Sequence, residues 1–185
     1  SKSNFITKKR FGEDEIKLLD VSNNQIKYAK KNYQTKKNKF YLIKNNILPF
    51  KDKSFDVVTN LQLMEHLTLE NNEKLLKEIK RVLKPKGKLI ITTPNYFSPW
   101  IFLEKIVNLL NEIKYNEQHI TFFNKKNITL FLNKLEFKNI FVSTNMFLSP
   151  FFAIFDWEIS DIIQKFEDKF LNHPFRLFLF VVCSK

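Results

Sequence analysis

Glu65 and His66 stand side by side in the run NLQLMEHL, and a second histidine, His119, stands in EQHITFF. Imidazole titrates near neutral pH, so either histidine could take a proton from a reacting group as a general base. Both also have plainer readings: Glu65-His66 could cap a turn and pack on the next element, and His119 could be a turn histidine. Asp20 closes the short apolar run IKLLD. An acid there can accept hydrogen bonds from a pair of neighbouring hydroxyls, or favour the start of a helix through its dipole. Asn60, Leu61 and Gln62 follow FDVVT, and Asn45, Asn46 and Ile47 stand just before Leu48-Pro49-Phe50. His173, beside Pro174, has no supporting context.

The elements around these residues place them. Phe55 to Asn60 reads as a buried strand and Leu61 to Leu67 as a polar-rimmed turn. From about Glu70 to Leu83, apolar residues recur at three- and four-residue spacing (Leu75, Leu76, Ile79, Val82, Leu83), which predicts an amphipathic helix. Lys84-Pro85-Lys86-Gly87 predicts a turn and Lys88 to Thr93 a second buried strand. Strand, helix, strand is a βαβ unit, and ligands of such units sit off the carboxyl ends of the strands. Asn60 to His66 and Thr92 to Asn95 are at those ends. Upstream, Ile16–Asp20 and Phe40–Lys44 read as strands flanking a helix over Asn24–Asn32, capped near Ser22. Downstream, helices are expected over Pro99–Ile113 and Lys125–Leu135, and strands over Lys138–Thr144 and Arg176–Cys183. A Phe-rich, partly helical segment at about 147–172 reads as an insertion.

Residues 1–185 are expected to form one domain. With 44% hydrophobic and 27% charged residues, disorder is excluded as the general state. The single cysteine, Cys183, rules out an intrachain disulfide and reads as a core residue in LFLFVVC. No apolar stretch reaches the ~18 residues of a membrane span, so a cytoplasmic protein is expected. A formal charge of +12 raises a nucleic-acid or anionic-membrane partner. The lysines are scattered, however, and the chain is rich in Lys, Asn, Ile and Phe with only 2 glycines, a pattern that base composition alone produces. Nucleic acid is therefore the less favoured partner.

FDVV, MEHL and EIKRVLKPKGKLIITTPN together resemble the middle of the class I S-adenosylmethionine-dependent methyltransferases, closest to the type 11/12 group that includes quinone O-methyltransferases. LLDVSNNQIKYAKKN resembles that family's second strand and following helix, and NNILPFKDKSFD its third motif. EQHITFFNKKNITLFLNKLEFKNIFV resembles its late helix and strand. The resemblance implies a Rossmann-like, doubly wound α/β fold with a mostly parallel sheet, helices on both faces and a reversed strand near the C-terminus. It implies S-adenosylmethionine as cofactor. Asp20 would take the ribose hydroxyls with Val21 beside it. Asn45 or Asn46, next to Ile47, would meet the adenine amino group. Asn60, Leu61 and Gln62 would line the methionine and sulfonium end. In the quinone group, Glu-His with an acid three residues earlier can bind a divalent metal or act on the acceptor hydroxyl. Here that earlier position is Gln62, so no metal is assigned. His66 and His119 remain as catalytic candidates facing a small-molecule acceptor.

One departure stands out. The family's first strand and its Asp-x-Gly-x-Gly-x-Gly loop have no counterpart, and SKSNFITKKRF resembles the start of the first helix, just past that loop. A chain truncated at its N-terminus is expected; a degenerate strand at Ser3–Lys8 and a shortened paralogue are the alternatives. The aromatic residues of Phe147–Trp157, with Trp100 and Phe102, read as a lid for an apolar acceptor, as core packing, or as a membrane-surface contact. Two rivals to a small-molecule methyltransferase stay open. One is an inactive protein of the same fold that binds a partner; the other is an RNA methyltransferase or RNA binder.

Overall fold

The computed structural model describes residues 16–20, 22–43, 47–110, 118–146, 149, 156–170 and 175–185. The chain divides into two compact units, Ser1–Lys51 and Asp52–Lys185.

In the first unit, β1 (Ile16–Asp20) pairs parallel with β2 (Asn38–Leu42) across the helix α1 (Asn23–Tyr33). The Ser22 side chain caps α1 by accepting from the Gln25 N–H, which satisfies one of the donors every helix start leaves open. Ile26 and Ala29 of α1 bury against Phe40 of β2, with Leu18 and Leu42 packed on them. This is the βαβ arrangement expected from the sequence.

In the second unit, four strands lie in the order β3-β4-β6-β5, comprising β3 (Phe55–Leu61), β4 (Leu83–Pro94), β5 (Lys138–Asn145) and β6 (Phe178–Ser184). β3 runs parallel to β4, and β6 runs antiparallel to both β4 and β5. β6 is thus the reversed strand, and the others point one way. Alternation sets the core layer. Leu89, Ile91 and Thr93 of β4 are buried, and they lie opposite Cys183, Val181 and Leu179 of β6, which are buried too. Helix α2 (Leu69–Val82) packs on β4 through Leu75, Leu76, Ile79 and Val82. Helix α3 (Trp100–Leu110) follows β4; helix α4 (Lys125–Lys134) packs on β5 and buries Ile128 and Leu132. An Asn124/Asn127 capping box starts α4. Helix α5 (Trp157–Phe170) lies in the segment read as an insertion.

The Lys-Pro-Lys-Gly stretch differs from its expected role. It does not separate helix from strand but lies within β4 as a wide bulge: Phe55 pairs with Leu83, and the next pair is Val57 with Lys88. Lys86 takes a left-handed φ of 64° to make the detour. At Gly87 a Cβ would stand 2.9 Å from the Lys84 carbonyl oxygen, so only glycine lets the chain fold back this tightly.

Candidate functional site

The turn between β3 and α2 carries the adjacent acid and base. Met64–His66 form one 3-10 turn. Three sets of hydrogen bonds hold it. Asn72 in α2, wholly buried, donates its amide to the Met64 carbonyl at 2.8 Å and the Leu67 carbonyl at 3.2 Å. The N–H groups of Ile120 and Thr121 both donate to the Glu65 carbonyl, at 2.7 and 3.1 Å. The Thr121 hydroxyl donates to the Leu67 carbonyl, and His66 Nδ1 lies 3.0 Å from the Gln118 carbonyl oxygen. This clamp draws two distant stretches of chain together, so that the rings of His66 and His119 lie 4.9 Å apart between centroids.

Three further side chains complete the cluster. Thr93, at the end of β4, donates to Glu65 Oε2 at 3.0 Å. The Tyr96 hydroxyl lies 2.7 Å from His119 Nδ1 and donates to Glu104 Oε2 at 3.3 Å. Glu104 Oε1 stands 3.0 Å from the same Nδ1, an ion-pair distance outside hydrogen-bond alignment. Glu65, Glu104 and His119 are all buried, and burial sets the chemistry of Glu65 and His119. It pushes the Glu65 carboxyl above the usual range, opposed by its own backbone N–H, the charge of His66 and the Thr93 hydroxyl. It pushes His119 below the usual imidazole value, opposed by the Glu104 carboxylate and reinforced by His66. Burial and the Glu104 charge push the Tyr96 hydroxyl up. One donor atom from each of Glu65, His66 and His119 falls within 4.8 Å of the others, and these are the described residues that could share a divalent cation.

Asn60, Leu61 and Gln62 form the floor of the same loop. Asn60 is 4% exposed, and neither its Oδ1 nor its Nδ2 has a partner among the described residues. Buried amides are nearly always hydrogen-bonded, so an orphaned one at a strand end points to a ligand that supplies both a donor and an acceptor. Leu61 pairs with Thr92, and the Gln62 N–H donates to the Thr92 carbonyl at 2.9 Å. Gln62 takes a left-handed φ of 49°, a backbone state that side-chained residues rarely adopt and that concentrates at functional loops.

In the first unit, Asp20 ends β1, and its Oδ1 accepts the Ser22 N–H at 2.7 Å. One oxygen therefore serves the helix entry; the other engages no described residue. Ile47 is 60% exposed. Val21, Asn45 and Asn46 lie outside the described residues.

The structure thus brings His66 and His119 together and leaves Asn60, Leu61 and Gln62 at the end of β3, just before the same turn. It adds Asn72, Tyr96 and Glu104, to which the sequence reading assigned no role, and gives Thr93, placed there only at a strand end, a partner in Glu65. Glu104 had a signal: it is the one acid in WIFLEKIVNLL, four residues after Trp100, on a largely apolar helix. Beside the cluster runs an apolar groove of about 530 Å³, with Leu69, Ile120, Phe122 and Phe131 among its walls. The Phe122 ring meets Tyr96 edge-on at 4.6 Å. Among the described residues no helix is long and apolar enough to cross a membrane.

The chain is similar to known proteins in sequence and in fold. Residues 4–91 match the family model described as a methyltransferase domain. An uncharacterized protein of Methanocaldococcus jannaschii is 32% identical over 129 residues, 70% of this chain and 58% of that one. A "Probable S-adenosylmethionine-dependent methyltransferase" of Mycobacterium tuberculosis is 44% identical over 54 residues, 28% of this chain and 19% of that protein. The chain spans less than two thirds of the length of the curated relatives it matches. Among solved structures, a SAM-dependent methyltransferase from Archaeoglobus fulgidus superposes with a TM-score of 0.61 at 15% identity, over 91% of this chain and 75% of that one. The matched segment, 4–91, is thus similar to a methyltransferase domain, and the fold is the Rossmann-like α/β fold of the solved methyltransferase it superposes on.

Proposed function

We propose that the protein moves the methyl group of S-adenosylmethionine to a small molecule bearing a hydroxyl on an apolar body. The observation that carries this reading is Asn60, whose buried amide lacks any described partner at the carboxyl end of β3. The amino-acid end of S-adenosylmethionine offers an ammonium and a carboxylate, which match the oxygen and the nitrogen of that amide. Leu61 and Gln62 would flank it.

S-adenosylmethionine supplies a methyl carbon on a positively charged sulfur, and its transfer is an in-line displacement that depends chiefly on positioning. An attacking hydroxyl must also lose its proton. His119 and His66 are suited to take it, since burial favours the neutral ring of His119. The acceptor oxygen would form the new bond to the methyl carbon as the carbon–sulfur bond breaks, the sulfur keeping the electron pair and leaving as the neutral thioether, while the hydroxyl proton passes to an imidazole nitrogen. The groove along Leu69, Ile120 and Phe122 begins one residue from His119 and suits an apolar acceptor body.

Titration calorimetry with S-adenosylmethionine tests the reading on the wild-type chain and on Asn60→Leu. Binding by the wild type is expected, weakened about fivefold in the variant, as losing ~1 kcal/mol of hydrogen bonding implies. No heat with the wild type would overturn the cofactor assignment. Equal affinity for both proteins would remove Asn60 from it.

A further inference from the structure

We infer, taking His119 as the proton acceptor proposed above, that Tyr96 and Glu104 are positioning residues that place its ring hydrogen on Nδ1 and leave Nε2 as the basic nitrogen. Neither residue need touch substrate for this. The direction of the hydrogen bonds carries it.

The Tyr96 hydroxyl has one hydrogen and three side-chain neighbours: Glu104 Oε2 at 3.3 Å, His119 Nδ1 at 2.7 Å and the Trp100 indole, which can only donate. A carboxylate accepts and cannot donate, so the phenolic hydrogen goes to Glu104. The phenolic oxygen then faces Nδ1 at 2.7 Å with no hydrogen of its own to offer, and the hydrogen between those two atoms is the ring's, on Nδ1. The opposite assignment fails on the same geometry. It turns the Nδ1 lone pair toward Glu104 Oε1 at 3.0 Å, two acceptors facing with no hydrogen between them. With Glu104 8% exposed and His119 6% exposed, little solvent is available to relieve that contact.

His66 reaches the same state by a separate route. Its Nδ1 lies 3.0 Å from the Gln118 carbonyl oxygen, which can only accept. Both imidazoles therefore carry their hydrogen on Nδ1. This matters for the proposed chemistry, because the tautomer is set by the hydrogen bond at the other ring nitrogen. A ring with its hydrogen on Nε2 could not take an acceptor proton at that atom.

Two-bond nitrogen–proton spectra of the imidazoles distinguish the tautomers directly. They would be recorded on the ¹⁵N-labelled chain without cofactor at about pH 8, where free imidazole is neutral. The signals would be assigned with His66→Gln and His173→Gln. The expected wild-type result is the Nδ1–H form for both His66 and His119. In Glu104→Gln the Tyr96 hydroxyl can turn to Nδ1, and the Nε2–H form of His119 should become the major one while His66 stays unchanged. A wild-type His119 in the Nε2–H form would overturn the inference, as would a folded Glu104→Gln protein whose His119 keeps the Nδ1–H form alone. The unchanged His66 pattern shows that the variant is folded, and the wild-type spectrum decides the tautomer even if it is not. Because no cofactor is added, a failure to bind S-adenosylmethionine would count against the proposed function and leave this result readable.

Discussion

Asn72→Ala should loosen the turn that holds Glu65 and His66, because a single buried amide staples that turn to α2. Asn72 is 0% exposed, and its Nδ2 supplies hydrogen bonds of 2.8 and 3.2 Å to the Met64 and Leu67 carbonyls. The two acceptors fare differently when it is removed. Leu67 keeps the Thr121 hydroxyl, whereas Met64 keeps only the 3.3 Å contact from the Leu67 N–H. Each lost bond is worth roughly 0.5–1.5 kcal/mol, and stranding a buried carbonyl adds to that. Asn72 Oδ1 has no partner among the described residues, so its removal returns a part. The net expectation is a loss of about 2 kcal/mol. For a chain of this size that lowers Tm by roughly 4–8 °C. Thermal and urea unfolding, followed by circular dichroism, would measure it. Lys77→Ala serves as the control on the same helix. It removes only an exposed ion pair with Glu73, which solvent screens, so little change in stability is expected. An Asn72→Ala protein that melts with the Lys77→Ala control would refute the view that this amide holds the turn.

Other outcomes follow from the same contacts. Thr93→Val keeps the shape of the side chain but takes the described hydroxyl donor from buried Glu65, and should cost about 1–3 kcal/mol in urea unfolding. The cost should shrink in a Glu65→Leu background, which has no acceptor for the hydroxyl, and an equal cost in both backgrounds would show the bond to be idle. Leu76→Ala opens a cavity in the fully buried face of α2, with an expected loss of about 2–5 kcal/mol. A loss below ~1 kcal/mol would mean that the helix does not pack on the sheet as described. Burial alone pushes the Cys183 thiol up to about 12. The thiolate is the reactive form, and raising the pKa depletes it at every lower pH. A thiol reagent at about pH 8 should therefore label the native chain no faster than it unfolds, and denaturant should release the reaction; prompt native labelling would contradict the burial.

The local pattern was enough to announce most of the elements. Leu75, Leu76, Ile79 and Val82 recur at the helical period and are the buried face of α2. IKLLD, FDVVTN and LFLFVVC are apolar runs of strand length, and each is a strand. The βαβ logic also put Asn60, Gln62, Glu65 and His66 at one strand end, because that follows from chain order and alternation without any long-range contact. What local pattern misjudged was the Lys84–Gly87 stretch, read as a turn between elements. A wide bulge and a turn use the same residues, and only pairing with β3 tells them apart.

Sequence by itself settled which residue types could do chemistry and which ends of the strands they occupy, since both are properties of composition and periodicity. The tertiary structure alone decided their partners. That His119 meets His66, that Tyr96 and Glu104 hold the far side of its ring, and that Asn60 is buried without a described partner all depend on contacts between segments far apart in the chain. Such contacts leave no period in the sequence. They exist only once the 118–121 stretch is hydrogen-bonded to the turn after β3 and α3 is laid beside it, and burial then shifts the proton affinity of Glu65, Tyr96 and His119.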